Sequence, residues 1–156
     1  MANCMWKYQS NDIDNISLHD HLIDDIVVDG NNILLVFPNG FDVVNTHALN
    51  DTGKSKLTGN AQIVLESARF LSGAVYSHQN EKKNFSISML GRQFSSIEVL
   101  EGKVKGKVFI LHGNLHRKPI SSFEYMELSF FCEGFVFCWN EYVNDSWFEN
   151  FPHKNE

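Results

Sequence analysis

The chain has 156 residues, of which 43% are hydrophobic and 21% are charged, and its formal net charge is −6. This composition is typical of one globular domain and is too apolar for intrinsic disorder. The negative charge disfavours sequence-independent binding to nucleic acid, which requires a basic surface, so we expect no nucleic-acid partner.

The N-terminal third predicts short strands joined by turns. Residues Leu22–Val28 are a strand candidate, and the turn residues Asp29–Asn32 connect them to a second apolar strand over Ile33–Phe37. A second turn at Pro38–Gly40 leads to a third strand over Phe41–Val44, because proline presets φ and glycine accepts a positive φ.

The middle third is more ambiguous. Residues 45–60 are polar and rich in turn formers, which predicts a loop. Ala61–Leu71 fits a helix face and a strand face, and its β-branched residues favour a strand. Asn84–Leu90 and Ser95–Leu100 are further strand candidates, and the alternation of Lys with small or apolar residues over Lys103–Lys107 predicts an exposed strand edge.

In the last third, Val108–Leu111 predicts a buried strand and residues 112–119 predict a loop. Residues Phe123–Trp139 are strand-like almost throughout, with a division or bulge at Glu133 and Gly134.

Together these elements predict an all-β fold with at most one short helix, built as an antiparallel β-sandwich or a barrel-like sheet. Residues 1–156 are expected to form a single domain, with 1–17 as an N-terminal arm and 150–156 as a frayed tail. The sequence contains no internal repeat, low-complexity segment or domain linker.

The first residues and the cysteines indicate the compartment. Residues 1–10 have neither a basic start nor an apolar run, and no stretch approaches the ~20 apolar residues of a membrane span. The odd number of cysteines (Cys4, Cys132 and Cys138) argues against a disulfide framework. We therefore expect a cytoplasmic protein with reduced thiols, packed as small apolar groups, and with no membrane partner.

Charge is divided into three blocks along the chain. Tyr8 to Gly53 contain eight acidic residues and no Lys or Arg, whereas 54–118 contain eleven basic and four acidic residues. From Pro119 onward there are seven acidic residues and one lysine. The blocks could pair across strands, each pair stabilising by ~0.2–1 kcal/mol, or the two chain ends could form an acidic patch for a basic partner. The candidate patch consists of Asp12, Asp14, Asp20, Asp24, Asp25, Asp29, Glu141, Asp145 and Glu149.

An H-x-H motif gives the strongest indication of a metal site. His19 and His21 point the same way on an extended chain, and Asp25 could supply the carboxylate of the first cupin motif. However, the flanking glycines do not match, and Val43 stands where the second cupin motif requires a histidine. The H-x-H motif nevertheless supports an alternative hypothesis, a small cupin-like β-barrel enzyme that binds a metal or ligand through His19, His21, Asp25 and His47. Otherwise the motif is a polar turn.

The sequence offers no catalytic constellation. His112 and His116 would present both imidazoles together on a helix, which Gly113 disfavours. The acidic and apolar neighbours of Cys132 and Cys138 would raise a thiol pKa rather than lower it. A nucleophile elbow and a phosphate-binding loop are also missing from the sequence. We therefore predict no catalytic residues and no cofactor.

Aromatic residues dominate the C-terminal part of the chain. They are Phe130, Phe131, Phe135, Phe137, Trp139, Tyr142, Trp147, Phe148 and Phe151. Rings on both faces of a strand predict a central strand that is covered on both sides. The alternative is an exposed aromatic patch through which the chain self-associates.

Two stretches resemble a known class of proteins. Leu18-His19-Asp20 leads into LIDDIVVDGNNILLVF, and the chain ends in FVFCWNEYVNDSWF. Together they are similar to small bacterial β proteins, some of which serve as immunity proteins beside polymorphic toxins. The resemblance implies a cytosolic, non-enzymatic inhibitor that binds its partner through a whole surface, so it assigns no individual residues.

The leading hypothesis is accordingly a non-enzymatic interaction module whose acidic patch binds a basic surface on another protein. Complementary charge would mainly accelerate association, and buried rings would supply affinity.

Overall fold

The computed structural model describes residues 6–76, 81–86, 94–117 and 123–150. Within them the chain forms strands of 2 to 12 residues and two 3₁₀ helices. The strands are β1 (Tyr8–Ser10), β2 (Ile16–Ser17), β3 (Leu22–Ile23), β4 (Asp25–Asp29), β5 (Asn32–Phe37), β6 (Asp42–Val43), β7 (Lys56–Thr58), β8 (Ala61–Glu66), β9 (Arg69–Tyr76), β10 (Lys82–Asn84), β11 (Phe94–Lys105), β12 (Val108–Arg117), β13 (Phe123–Phe131), β14 (Gly134–Trp139) and β15 (Tyr142–Asp145). The helices are Ile13–Asn15 and Trp147–Asn150. In the described part of the chain, no helix has the length and apolarity that a membrane crossing requires.

The strands form three open antiparallel sheets, which confirms the all-β prediction. The five-stranded sheet has the order β1-β14-β8-β5-β4, and the six-stranded sheet has the order β10-β9-β13-β12-β11-β3. The four-stranded sheet has the order β15-β7-β6-β2. Each sheet ends in two edge strands within the described residues, so the sheets are open rather than closed.

Alternating burial shows how the strands produce the core. In β5, Ile33, Leu35 and Phe37 are buried, whereas Leu34 and Val36 on the other face are half-buried. This alternation follows from the two-residue repeat of a strand. Buried side chains from all three sheets join in one hydrophobic cluster.

The aromatic block lies mainly in central strands. β13 lies between β9 and β12, and β14 lies between β1 and β8. Phe130, Phe137 and Trp139 are fully buried, so the predicted central position of these strands is confirmed, but the opposite face of β13 is only half-buried at Glu127, Ser129 and Phe131. Phe41 packs edge-on against Phe137 and Trp139, with ring centroids 5.7 and 6.0 Å apart. Phe151 lies outside the described residues.

The predicted N-terminal hairpin forms from β4 and β5, with Gly30 at φ +60° in its turn. Ala61–Leu71 is extended, as predicted, but it is divided. Ser67, at φ +46°, turns the chain so that β8 joins the five-stranded sheet and β9 joins the six-stranded sheet. Within residues 1–17, predicted as an N-terminal arm, β1 pairs with β14 and β2 pairs with β6.

Residues 45–60, predicted as a loop, contain strand β7 and are held by buried hydrogen bonds. Asn50 is buried, and its Nδ2 donates to the carbonyl oxygens of Val43 and Lys54 at 3.0 and 2.8 Å. Its Oδ1 accepts from the backbone N–H of Thr52 at 3.1 Å. The side chain of Asn50 thus supplies hydrogen bonds to backbone groups of this segment that lie outside β7.

The loop predicted for residues 112–119 is wrong over its described part, because residues 112–117 continue β12. Gly113, which argued against a helix here, has a packing role in the strand. A Cβ at this position would lie 2.5 Å from the carbonyl oxygen of Glu98, opposite a bulge between Val99 and Glu101 in β11. Glycine therefore permits close contact at the bulge.

Candidate functional site

The five-stranded sheet carries a row of aliphatic side chains on the face opposite the core. The strand register places Val27 opposite Leu34, Leu34 opposite Val64, and Val64 opposite Val136. All four side chains are half-buried. We call these four residues the apolar stripe. It crosses four adjacent strands, a span of about 14 Å at the usual interstrand spacing.

Carboxylates flank the apolar stripe on the same face. Asp25 and Asp29 lie two residues before and after Val27 in β4, and Glu66 lies two residues after Val64 in β8. We call Asp25, Asp29 and Glu66 the acidic rim. All three are exposed, and none forms an ion pair with a Lys or Arg among the described residues. The rim therefore presents uncompensated negative charge beside an apolar surface.

The structure divides the rest of the predicted acidic patch. Four carboxylates are exposed but do not belong to the rim: Asp14, Asp20, Asp24 and Glu141. Others serve internal contacts. Asp12 accepts a hydrogen bond from Asn15 at 2.7 Å, and Glu149 accepts one from the backbone N–H of Ser55 at 2.7 Å. Asp145 belongs to an ion pair. Three members of the predicted patch thus take part in internal contacts, and the patch as a whole stays a prediction.

A pocket of about 610 Å³ opens beside the four-stranded sheet. It is lined by His21, Asp42, Lys56, Leu57, Val143, Asn144, Asp145 and Trp147. β6, β7 and β15 supply most of these residues, because β7 pairs with both neighbours. The pocket lies on a different sheet from the apolar stripe.

The polar centre of this pocket is a hydrogen-bonded chain. His21 Nε2 lies 2.7 Å from Asp42 Oδ2, and Ser146 Oγ donates to Asp42 Oδ1 at 2.6 Å. Asp42 is only 1% exposed, and Ser146 is fully buried. A carboxylate can only accept, so Nε2 carries the hydrogen. Both oxygens of the buried carboxylate are thus satisfied, and they connect three distant segments of the chain.

A cross-strand ion pair between Lys56 and Asp145 also lines the pocket. Lys56 lies opposite Asp145 in the β7–β15 register, and its Nζ donates to Asp145 Oδ1 at 2.6 Å. Lys54 Nζ lies 3.6 Å from Oδ2 of the same carboxylate. The hydrogen bond from Lys56 holds the pKa of Asp145 below its usual value, although burial opposes this effect. This pair confirms at one position that the basic and C-terminal acidic blocks pair across strands.

The H-x-H motif lies in a turn rather than a strand. Asp20 adopts φ +69°, and the turn is anchored to β11, where the Asp20 N–H donates to Val99 O at 2.8 Å. His19 Nδ1 lies 3.1 Å from Leu100 O, whereas His21 pairs with Asp42. The expectation that both imidazoles share one strand face is therefore wrong.

His47 also has a structural role. It is buried, its Nδ1 accepts from the Leu49 N–H at 3.0 Å, and its Nε2 lies 2.9 Å from Ser10 Oγ. Burial lowers the pKa of His47, and the charge of Asp12 partly opposes this. Among the described residues, which include His19, His21, Asp25 and His47, no three acids, histidines or cysteines are grouped to hold a metal. The structure therefore does not assemble the cupin-like ligand set.

The described cysteines are buried, as expected. Burial raises the pKa of the Cys132 thiol, and the charges of Glu66 and Glu133 raise it further. The predicted direction of this shift is confirmed. Cys138 is also buried, and Cys4 lies outside the described residues.

The sequence analysis identified His21 and Asp145 as candidate site residues, but it did not predict that Asp42, Lys56 and Trp147 line the same pocket. One signal was present: Asp42 is a single carboxylate in an apolar run, and such a residue is buried only with partners. The chain matches no protein-family model, and no curated protein or solved structure matches it either. Function must therefore be argued from the two surfaces themselves.

Proposed function

We propose that the chain is a non-enzymatic interaction module of the immunity type, which binds a basic partner protein through the apolar stripe and the acidic rim. The supporting observation is the juxtaposition of half-buried aliphatic side chains with exposed carboxylates on one sheet face. Protein interfaces commonly combine an apolar centre with a polar, solvent-accessible periphery. This face provides both parts.

The dimensions make the stripe the centre of a larger contact. Asp25 and Asp29 are four residues apart, about 13 Å along a strand, and the stripe spans about 14 Å across strands. The area spanned by the stripe and the Asp25–Asp29 separation is about 200 Å², whereas a standard interface covers about 800 Å² on each partner. The partner therefore extends beyond the rim and meets its carboxylates within the contact.

The sign of the charge selects the partner. In a symmetric dimer the same patch faces itself, so two acidic rims would meet and repel. A partner with Lys or Arg around an apolar patch would meet complementary charge instead. Such charges mainly increase the association rate, and their effect weakens as salt screens them.

The test compares two double variants with the same change in formal charge. Asp25→Lys/Asp29→Lys reverses the acidic rim, and Asp51→Lys/Glu101→Lys reverses two exposed acids outside the five-stranded sheet. Each tagged protein is used to capture partners from its native lysate at low and at high salt. We expect the wild type and the control to retain one partner at low salt, and the rim variant to lose it. Equal capture by the rim variant, or capture of no partner by the wild type, would refute the proposal.

A third variant separates charge from apolar contact. Val64→Ser shortens the centre of the stripe without changing charge, so it should accelerate dissociation while the salt dependence of association stays the same. Unchanged dissociation of the captured partner, measured by surface plasmon resonance, would exclude the stripe from the interface.

A further inference from the structure

The pocket beside the four-stranded sheet has no part in the proposed partner surface. Its volume of about 610 Å³ lies within the range of about 300–1,000 Å³ that is typical of small-ligand sites. Asp42, Lys56, Asn144 and Asp145 come from strands that are hydrogen-bonded to one another, and the hydrogen bond to Asp42 holds His21, which lies in a turn. The chemistry of this wall indicates what it can bind.

The wall offers both hydrogen-bond donors and acceptors. Asp42 occupies Nε2 of His21, and in the neutral ring the other nitrogen, Nδ1, is an acceptor with no partner among the described residues. Lys56 supplies ammonium N–H donors beyond the one used by Asp145. Asn144 adds an amide with both a donor and an acceptor. A ligand that matches this wall must donate and accept within one small area.

The charges at and beside the wall cancel. Lys56 in the lining and Lys54, which lies outside the lining but 3.6 Å from Asp145, offset Asp42 and Asp145 when His21 is neutral. An anionic ligand would gain from the ammonium groups but would approach the Asp145 carboxylate, and a cationic ligand would meet the opposite conflict. A hydroxyl group is neutral and is both a donor and an acceptor. The wall therefore favours a neutral ligand that carries several hydroxyl groups.

Trp147 adds an apolar platform at the edge of the pocket. Trp139 is completely buried, whereas Trp147 is 52% exposed. Its position is fixed from both sides, because the preceding Ser146 is held by Asp42 and by Ser55 O, and the Phe148 ring packs edge-on against the indole at 5.7 Å. A preordered indole face binds a flat apolar surface at low entropic cost.

We propose that this pocket binds a neutral saccharide. One sugar ring lies with its C–H face against Trp147, and its hydroxyl groups bond to His21, Asn144 and the Lys56–Asp145 pair. A sugar ring combines an apolar face with hydroxyls around its edge, which matches the platform and the wall together. The binding is reversible and involves no covalent step.

The test uses the ¹⁵N-labelled full chain and the indole N–H signals of its tryptophans. Glucose, galactose, mannose, N-acetylglucosamine, maltose and cellobiose are titrated separately to about 20 mM, which would saturate a site with a millimolar dissociation constant. The signal of Trp147 is identified by its loss in Trp147→Phe. We expect a saturable shift of this signal with at least one sugar, while the signal of buried Trp139 stays in place.

Variants distinguish the pocket from general surface effects. Trp147→Ala and Asp145→Asn should each weaken the saccharide at least tenfold, as followed by backbone amide shifts. Leu71→Ala, which shortens an exposed apolar residue in the six-stranded sheet, should bind like the wild type. The absence of a saturable shift with all six sugars, or undiminished binding by Trp147→Ala, would overturn the proposal. Tighter binding of glucuronate than of glucose would overturn the neutral-ligand argument.

Discussion

Replacement of Asp42 by alanine should strongly destabilise the fold. The carboxylate is 1% exposed and accepts hydrogen bonds from His21 Nε2 at 2.7 Å and from Ser146 Oγ at 2.6 Å. Hydrogen bonds to a charged group contribute about 1.5–3 kcal/mol each, and a buried hydroxyl left without a partner costs about 1–3 kcal/mol. The desolvation of the carboxylate offsets part of this sum. We therefore expect Asp42→Ala to lower the free energy of unfolding by about 3–5 kcal/mol.

Chemical denaturation followed by tryptophan fluorescence measures this change. Asp42→Asn serves as the matched variant, because its amide oxygen can still accept from Ser146 and its amide nitrogen can donate to His21 in the other tautomer. It should cost about half as much as alanine. A double-mutant cycle of Asp42→Ala with Ser146→Ala should give a coupling energy of about 1–2 kcal/mol. A loss below about 1 kcal/mol for Asp42→Ala, or additive effects within about 0.5 kcal/mol, would refute this account of the hydrogen-bonded chain.

Three further predictions follow from other buried groups. Burial lowers the folded-state pKa of His47 below 6.5, so the unfolded chain binds the proton first as pH falls. The stability that the neutral ring contributes is therefore complete above about pH 6.5 and is lost below it, and denaturation at several pH values should show a shallower acid-side loss in His47→Gln. Gly40 has φ +78°, and a Cβ there would lie 2.3 Å from Thr58 O, so Gly40→Ala should lose more than about 2 kcal/mol in urea titrations. Gly106→Ala is the control, because φ is +59° there but no described atom lies within 4 Å of an added Cβ, and it should lower the free energy of unfolding by only about 1 kcal/mol. Equal losses for the two variants would show that Thr58 O does not clash with a Cβ at position 40. Because burial raises the pKa of Cys132, this thiol should react with a disulfide reagent only after denaturation, and fast reaction of the native protein, absent in Cys132→Ser, would disprove its burial.

The fold class could be predicted because strand periodicity is a local signal. Alternation in Ile33–Phe37 and the turn residues around Gly30 specify a hairpin without any knowledge of the partner strands. The division of Ala61–Leu71 was not predictable in this way. Ser67 adopts a positive φ, which is uncommon for residues other than glycine, and the reason is tertiary: Ala68 N–H donates to Asn31 O at 2.7 Å.

The candidate pocket is formed by residues that are distant from one another in the sequence. His21 was recognised as a functional candidate, but its partners were sought at His19, Asp25 and His47. The actual partner, Asp42, is 21 residues away along the chain, and Ser146 is 104 residues from Asp42. Such pairs form only when the sheets associate, so no spacing rule can anticipate them.

The three charge blocks are explained only in part by pairing. Lys56 pairs with Asp145 and Lys107 pairs with Glu133, so members of the C-terminal acidic block meet members of the central basic block. These exposed or half-exposed pairs contribute little stability, about 0–1 kcal/mol each. The N-terminal block is different, because Asp25 and Asp29 in that block have no Lys or Arg partner among the described residues, and neither has Glu66, which lies level with Asp29 on the same sheet face. These carboxylates form no ion pair with Lys or Arg within the described part of the chain, and for this reason the proposed partner surface includes them.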